Sequence, residues 1–413
     1  MRSIVRFAIV VSLTAAVVPA AFAQANDRGR LYGRVVAMDG SEFQGFIRWD
    51  NNEGHWTDQL DASKRLPRRF MLEAQRLSGE KYEQRHAVRV LGIRVGWKTE
   101  SRRASSASSA IRYGHIRRIQ VLDNTHGLLV LKSGEEQEFS SSSSDLGRGL
   151  EIIVQEGNGS AAQLKWHDID YIEFMPAPRR KSPFGKRLYG TLSARSGSEF
   201  SGWITWDRDE IFGPDELNGV NGRRSRAIAF DNIAAIERLS SSRALATTVD
   251  GRQVEMSGNN DVNSDNRGIF ISDPGLGRVE VKWGEFRSVR FHEPPSMSYD
   301  EFDGGRRLTG TVFAEDGDSF TGLIRWDNDE QWTWEVLNGD SQNLVFHVEF
   351  GLIASIERAS YTSARVTLLD GRQFVLRGSN DVNEENKGIF IRLDDGETVM
   401  LDWDEFERVE FRN

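Results

Sequence analysis

The sequence predicts an all-β protein built as three tandem double repeats, six five-stranded units in all. Three observations lead there. An aromatic residue followed at intervals of three by two apolar residues occurs six times, as Tyr113-Ile116-Ile119, Trp166-Ile169-Ile172, Phe230-Ile233-Ile236, Trp283-Phe286-Val289, Phe350-Ile353-Ile356 and Trp403-Phe406-Val409. Turn glycines precede five of these aromatics at a nearly fixed distance: Gly134, Gly251 and Gly371 by 32 residues, Gly197 and Gly317 by 33. Long stretches also align without a gap at 120 residues, pairing Arg187-Leu188-Tyr189-Gly190 with Arg307-Leu308-Thr309-Gly310, Trp206 with Trp326, Asp261 with Asp381 and Trp283 with Trp403.

The chain opens with an export signal. Arg2 and Arg6 precede an apolar run over residues 7–18, and Ala21-Phe22-Ala23 supplies an A-x-A cleavage site. Cleavage after Ala23 is expected, with the mature chain in the periplasm or outside the cell. The apolar run is shorter than the ~20 residues a bilayer span needs, and no other stretch predicts a membrane crossing. Loss of Arg2 and Arg6 leaves 51 basic against 62 acidic residues, a net charge of −11. That balance argues against nucleic acid as a partner, since such binding neutralises phosphates. With no cysteine there is neither a disulfide framework nor a thiolate metal site.

Repeat 1 occupies residues 24–175 and begins at Arg30-Leu31-Tyr32-Gly33, 157 residues before its counterpart at Arg187. By Tyr113 the offset has fallen to 117, so a 40-residue insertion lies between Trp49 and Tyr113, within 54–110. Within it, 70–85 predicts a helix and Val88, Val90, Ile93 and Val95 predict strands. Proline-rich linkers at 176–184 and 294–303 separate repeat 2 (185–293) and repeat 3 (304–413), and such polar segments are expected to carry no core.

Each repeat is itself double. In repeat 3, Val366 and Leu368 alternate up to Asp370-Gly371, Phe374 and Leu376 follow, Ile389 and Ile391 lead to Asp395-Gly396, and Val399 and Leu401 lead to Trp403. Period-two patterning bounded by Asp-Gly predicts antiparallel hairpins with one buried face. After Trp403 the spacing becomes three, as a 3₁₀ turn requires, and Val409 and Phe411 form a fifth strand.

Four strands, a 3₁₀ turn and a fifth strand, together with the Asp-Gly turns and the Gly45-x-Ile47, Gly202-x-Ile204 and Gly322-x-Ile324 strands, resemble the SH3-like and Sm-like small β-barrels. The resemblance covers nearly all of the mature chain except the insertion. It implies six tandem small five-stranded β-barrels arranged as three double-barrel repeats, and no particular activity.

Four features compete as sites. Trp49-Asp50-Asn51-Asn52-Glu53, Trp206-Asp207-Arg208-Asp209-Glu210 and Trp326-Asp327-Asn328-Asp329-Glu330 cluster carboxylates suited to a hard cation, or simply end a strand in a solvated turn. The Asn-rich loops place Asp261, Asn263 and Asp265, and Asp381, Asn383 and Glu385, at alternate positions as a calcium loop does. Against calcium, Asn266 stands at the sixth position, where that loop needs glycine, and Ser272 or Arg392 at the twelfth, where it needs glutamate. A capped helical turn explains the same residues. Repeat 1 has Ser140-Ser141-Ser142-Ser143-Ser144-Asp145 there instead, so two such sites are expected, not three.

Trp56, Phe212, Trp332 and Trp334 lie just past the acidic turns, where they either contact a protein partner or a glycan or pack a strand. The basic insertion, from Lys64-Arg65 to Trp97-Lys98, either meets an anionic surface or pairs with the acidic repeats. No catalytic motif occurs, and the seven histidines fall out of register between repeats. The expected function is therefore a non-enzymatic scaffold or protein-binding module of the cell envelope that requires no cofactor, with self-association through strand edges; calcium-dependent or glycan binding is the alternative.

Overall fold

A computed structural model describes residues 27–78, 85–90, 93–99, 106–143, 145–157 and 159–412. The expected leader and cleavage site, residues 1–23, lie outside these. Repeat 1 contains β1 (Tyr32–Ala37), β2 (Glu42–Trp49), β3 (Gln59–Arg65), α1 (Arg68–Ser78), β4 (Arg85–Val90), β5 (Ile93–Thr99), β6 (Ser106–Arg112), β7 (Ile116–Val121), β8 (His126–Leu131), β9 (Glu136–Ser140), β10 (Glu151–Glu156), β11 (Ala161–Lys165) and β12 (Ile169–Phe174). Repeats 2 and 3 each contribute ten strands, β13–β22 from Tyr189–Ala194 to Phe286–Phe291, and β23–β32 from Thr309–Ala314 to Phe406–Phe411.

The all-β class holds, but six separate barrels are not what the pairings give. The strands form two large antiparallel sheets, neither closed, beside the small β4–β5 hairpin. The two halves of a repeat exchange strands. β1 and β2 pair with strands from the other half, giving β12–β1–β2–β10–β11. The remaining five form a contiguous inner group, β7–β8–β9–β3–β6, and β7–β12 joins the two groups. Repeats 2 and 3 follow the same order. The Gly-x-Ile glycines mark this exchange. A Cβ on Gly45, Gly202 or Gly322 would lie 2.1, 2.4 or 2.1 Å from the carbonyl oxygen of Gln155, Ser272 or Arg392 on the strand of the other half. Only glycine allows so close an approach.

The recurrent aromatic turns are as the spacing predicts in four cases, with 3₁₀ turns at Tyr113–His115, Trp166–Asp168, Phe230–Asn232 and Phe350–Leu352. At Trp283 and Trp403 they are hydrogen-bonded turns, with Phe286 N–H donating to Lys282 O at 3.0 Å and Phe406 N–H to Asp402 O at 3.1 Å. All six aromatics are buried.

Repeats 2 and 3 share one core, because β21 (Gly277–Val281) pairs antiparallel with β26 (Leu344–Glu349) across the repeat boundary. Repeat 1 has its own core and borrows from elsewhere. The second linker is not a bare spacer. Tyr299 and Phe302 are buried in repeat 1, with the Tyr299 hydroxyl donating to Ile116 O at 2.7 Å. In the first linker, Phe184 stacks on Phe212 at 5.6 Å. Proline count missed these anchors, since two aromatics suffice to dock a short segment. The insertion proper runs over 66–105, because β3 and β6 pair up to Arg65–Ser106 as an ordinary repeat hairpin.

Candidate functional site

The acidic turns and the Asn-rich loops, separate in sequence, meet in space. Each turn closes by paired main-chain bonds; Trp206 N–H donates to Glu210 O at 2.8 Å and Glu210 N–H to Trp206 O at 3.0 Å. Asp50, Asp207 and Asp327 take φ of 45°, 47° and 46°, a left-handed conformation that aspartate tolerates better than bulkier residues. The tryptophan indole N–H then reaches the loop opposite. Trp49 donates to Asp145 O at 2.9 Å, Trp206 to Asp261 O at 3.0 Å and Trp326 to Asp381 O at 2.8 Å. These three aspartates turn back and accept the main-chain N–H of Asp61, Asn218 and Asn338 at 2.7, 2.6 and 2.7 Å.

The loop aspartate is thus present in all three repeats, not two. The serine run of repeat 1 conceals Asp145, although its place 116 residues before Asp261 falls one short of the local offset. Alternate Asn and acid positions do not converge. Asn263 and Asn383 accept the N–H of Asp265 and Glu385 at 2.6 and 2.8 Å in local turns, and both acids are exposed. Asn259 and Ser379 cap the 3₁₀ turns Asn260–Val262 and Asn380–Val382.

The acids that do converge are Asp327, Glu330 and Asp381, all buried, and Asp207, Asp209 and Glu210, with ligand oxygens within 4.8 Å of one another. Basic residues of the loop enter both clusters. Arg267 holds Asp207 at 2.8 Å, and Lys387 holds Asp327 at 2.9 Å. In each repeat the turn glutamate (Glu53, Glu210 or Glu330) has an Oε2 with no hydrogen-bond partner. Burial, then Asp145, raises the Glu53 carboxyl well above the usual range. Burial, then Asp261, pushes Glu210 up to about 10. Glu330 is raised by burial, then Asp329, with Lys64 at 3.9 Å opposing. Burial raises the aspartates as well, Asp327 to about 8 and Asp381 to about 6, so each cluster either shares protons among its carboxyls or holds a cation between them.

The loop aromatics lie within interfaces between repeats, not on a free surface. Trp56 is fully buried 4.5 Å from Tyr299, and its indole donates to Arg28 O at 2.8 Å. Trp334 is buried in the core of repeat 1, 6.3 Å from Phe139. Phe212 is buried, with the Arg30 guanidinium 4.0 Å over its ring. Trp332 alone is half-buried, with Arg307 5.3 Å over its ring.

These residues belong to one face that recurs in each repeat. Arg30, His55 and Asp58 correspond by the 157- and 120-residue offsets to Arg187, Phe212 and Asp215 and to Arg307, Trp332 and Glu335. Repeats 1 and 2 set this face against each other. Arg187 meets Asp58 at 3.1 Å with both side chains buried, Arg48 meets Asp215 at 3.0 Å, and His55 stacks on Trp203 at 3.9 Å. Desolvation, then Arg187, keeps His55 well below its ordinary pKa, so it packs neutral. In repeat 3, Glu335 is met by Lys64 of β3 at 2.6 Å and Arg325 by Glu73 of α1 at 2.8 Å. The insertion region therefore pairs internally through Lys64, while Arg69 and Arg76 of α1 line a cleft against repeat 3. Other ties cross every boundary: Arg278–Asp61 at 2.7 Å, Arg112–Glu349 at 3.1 Å and Arg372–Asp273 at 2.5 Å.

No protein-family model, curated protein or solved structure matches this chain.

Proposed function

We propose that the protein is an exported, non-enzymatic binding protein of the cell envelope, in which three interlocked repeats form a stiff scaffold. The carrying observation is that charged side chains at every repeat boundary are committed to inter-repeat ion pairs, including the buried Arg187–Asp58 and Lys64–Glu335 pairs. Such ties hold lobes in one arrangement and suit a platform that presents surface to a partner. On this proposal the five-strand groups are the small-barrel units, each built from two strands of one half and three of the other. Self-association would use an open edge such as β16 (Arg224–Ala229), the counterpart of the β26 edge that pairs with β21. The test is crosslinking capture by the full chain from envelope extract, with the captured component identified and rebound in purified form. Saturable rebinding without turnover supports the proposal; turnover of any captured substrate contradicts it.

A calcium-dependent module is the second reading, favoured by the buried Glu330 Oε2 that lacks a hydrogen bond beside Asp327 and Asp381. A ligand that binds only the folded state raises its stability. Melting in millimolar calcium and then in EDTA should differ by more than about 1 °C if calcium binds, and a smaller shift removes this reading.

A further inference from the structure

Repeats 1 and 2 satisfy their equivalent faces against each other, and an odd number of repeats leaves the face of repeat 3 over. Strand β3 and helix α1 of repeat 1 cover it through Lys64 and Glu73, and a cleft of about 580 Å³ remains between α1 and repeat 3. Arg69 and Arg76 of α1 and Arg307, Arg325 and Arg392 of repeat 3 line it, and among the described residues Glu73 is the one acid on its wall. Glu73 is already held by Arg325 at 2.8 Å and by the Thr398 hydroxyl at 3.0 Å. In a chain of net charge −9 this is a concentrated positive site.

Comparison across the repeats singles out Arg307. Arg187 spends its guanidinium on Asp58 and the Thr205 hydroxyl, and Arg30 donates to Gly54 O at 3.1 Å and to Gly185 O across the interface. Arg307 is half-buried, and among the described residues it forms no hydrogen bond or ion pair; its Nε is enclosed without an acceptor. Burial, with Arg325 and Arg69 nearby, disfavours its charge despite partial relief from Glu335. An anion with several acceptor oxygens is the partner such a guanidinium pairs with best. Arg325 is fixed between the rings of Phe70 and Phe390, at 4.1 and 4.3 Å, so part of the donor array is preorganised.

We infer that this cleft binds a phosphate-bearing ligand, as a free phosphate compound or as the headgroup of an anionic lipid. The guanidinium fork matches phosphate oxygens two at a time, and the cleft volume falls in the range of small-ligand sites. The inference rests on reading the chain as a binding protein and names the chemistry of one ligand.

The test uses the full chain at about 50 mM salt, where screening of exposed charge is modest. Calorimetric titration with pyrophosphate is one arm; flotation with phosphatidylglycerol vesicles, against phosphatidylcholine vesicles, is the other. Binding in the first arm assigns a free phosphate compound, and binding in the second alone assigns a headgroup. In whichever arm binds, Arg307→Gln and the exposed Arg392→Gln should each weaken affinity about tenfold, and the two together more, with melting temperatures close to the parent's. Absence of binding in both arms, or affinity unchanged in both variants, overturns the inference. Capture of a protein partner that persists in Arg307→Gln would leave the scaffold reading standing without the cleft. Turnover by the parent chain would remove that reading while the titrations still decide the cleft.

Discussion

The face of repeat 1 against repeat 2 and the equivalent face of repeat 3 use the same positions to opposite ends. In the first, Arg187 and Asp58 are both buried and meet at 3.1 Å, Arg48 meets Asp215, and aromatic rings fill the gaps. In the third repeat, Glu335 and Arg325 are taken by Lys64 and Glu73 from the insertion region, and Arg307 has no such partner among the described residues. Repetition thus supplies more copies of a self-complementary surface than it can pair, and the spare copy is where new chemistry arises at little cost to the fold.

The comparison can be broken by removing one charge at a time. Asp58→Ala leaves Arg187 buried beside no acid and should cost about 3–5 kcal/mol, read by denaturant melting. Arg307→Ala, the equivalent position of repeat 3, should cost under about 1 kcal/mol, since it leaves no carboxylate without its cation. Excision of 66–105, with a short turn joining Arg65 to Ser106, should keep the β-sheet circular dichroism and cost about 2 kcal/mol through lost burial of Phe70 and Ala74. It should also abolish phosphate binding. If the sheets unfold, the insertion is part of the fold and not an addition to it.

A smaller effect concerns the turn glutamates. Glu210 has a folded pKa above its unfolded value, so the folded state holds its proton over a wider pH range. Its contribution is most favourable below about pH 4.5 and is lost as pH rises towards about 10. Glu210→Gln should therefore raise the melting temperature at pH 8–9 by about 2–4 °C and leave it nearly unchanged at pH 4. The same change at Glu330 should gain less, because Lys64 already offsets the charge.

Much of the strand content was legible in the sequence. Period-two runs, Asp-Gly turns and the aromatic triplets located strands and turns, because those signals are local. Strand partners were not. Nothing in the alternation of β2 says that it pairs with β10 in the other half; the only trace is Gly45, whose Cβ would strike the Gln155 carbonyl. The acidic turns and loop aspartates were each visible, but their meeting depends on that same exchange. Trp56, Phe212 and Trp334 looked available because their repeat alone does not cover them; another repeat or a linker does. The arginine cleft was hidden for the same reason, since it is assembled from α1 and repeat 3, over 200 residues apart in sequence.

A pair of double-mutant cycles measures the difference between the two faces most directly. For Arg187 with Asp58 a coupling of at least about 2 kcal/mol is expected, and for Arg307 with Glu335, which attract each other without direct contact, one under about 1 kcal/mol. Equal couplings at the two faces would contradict this difference.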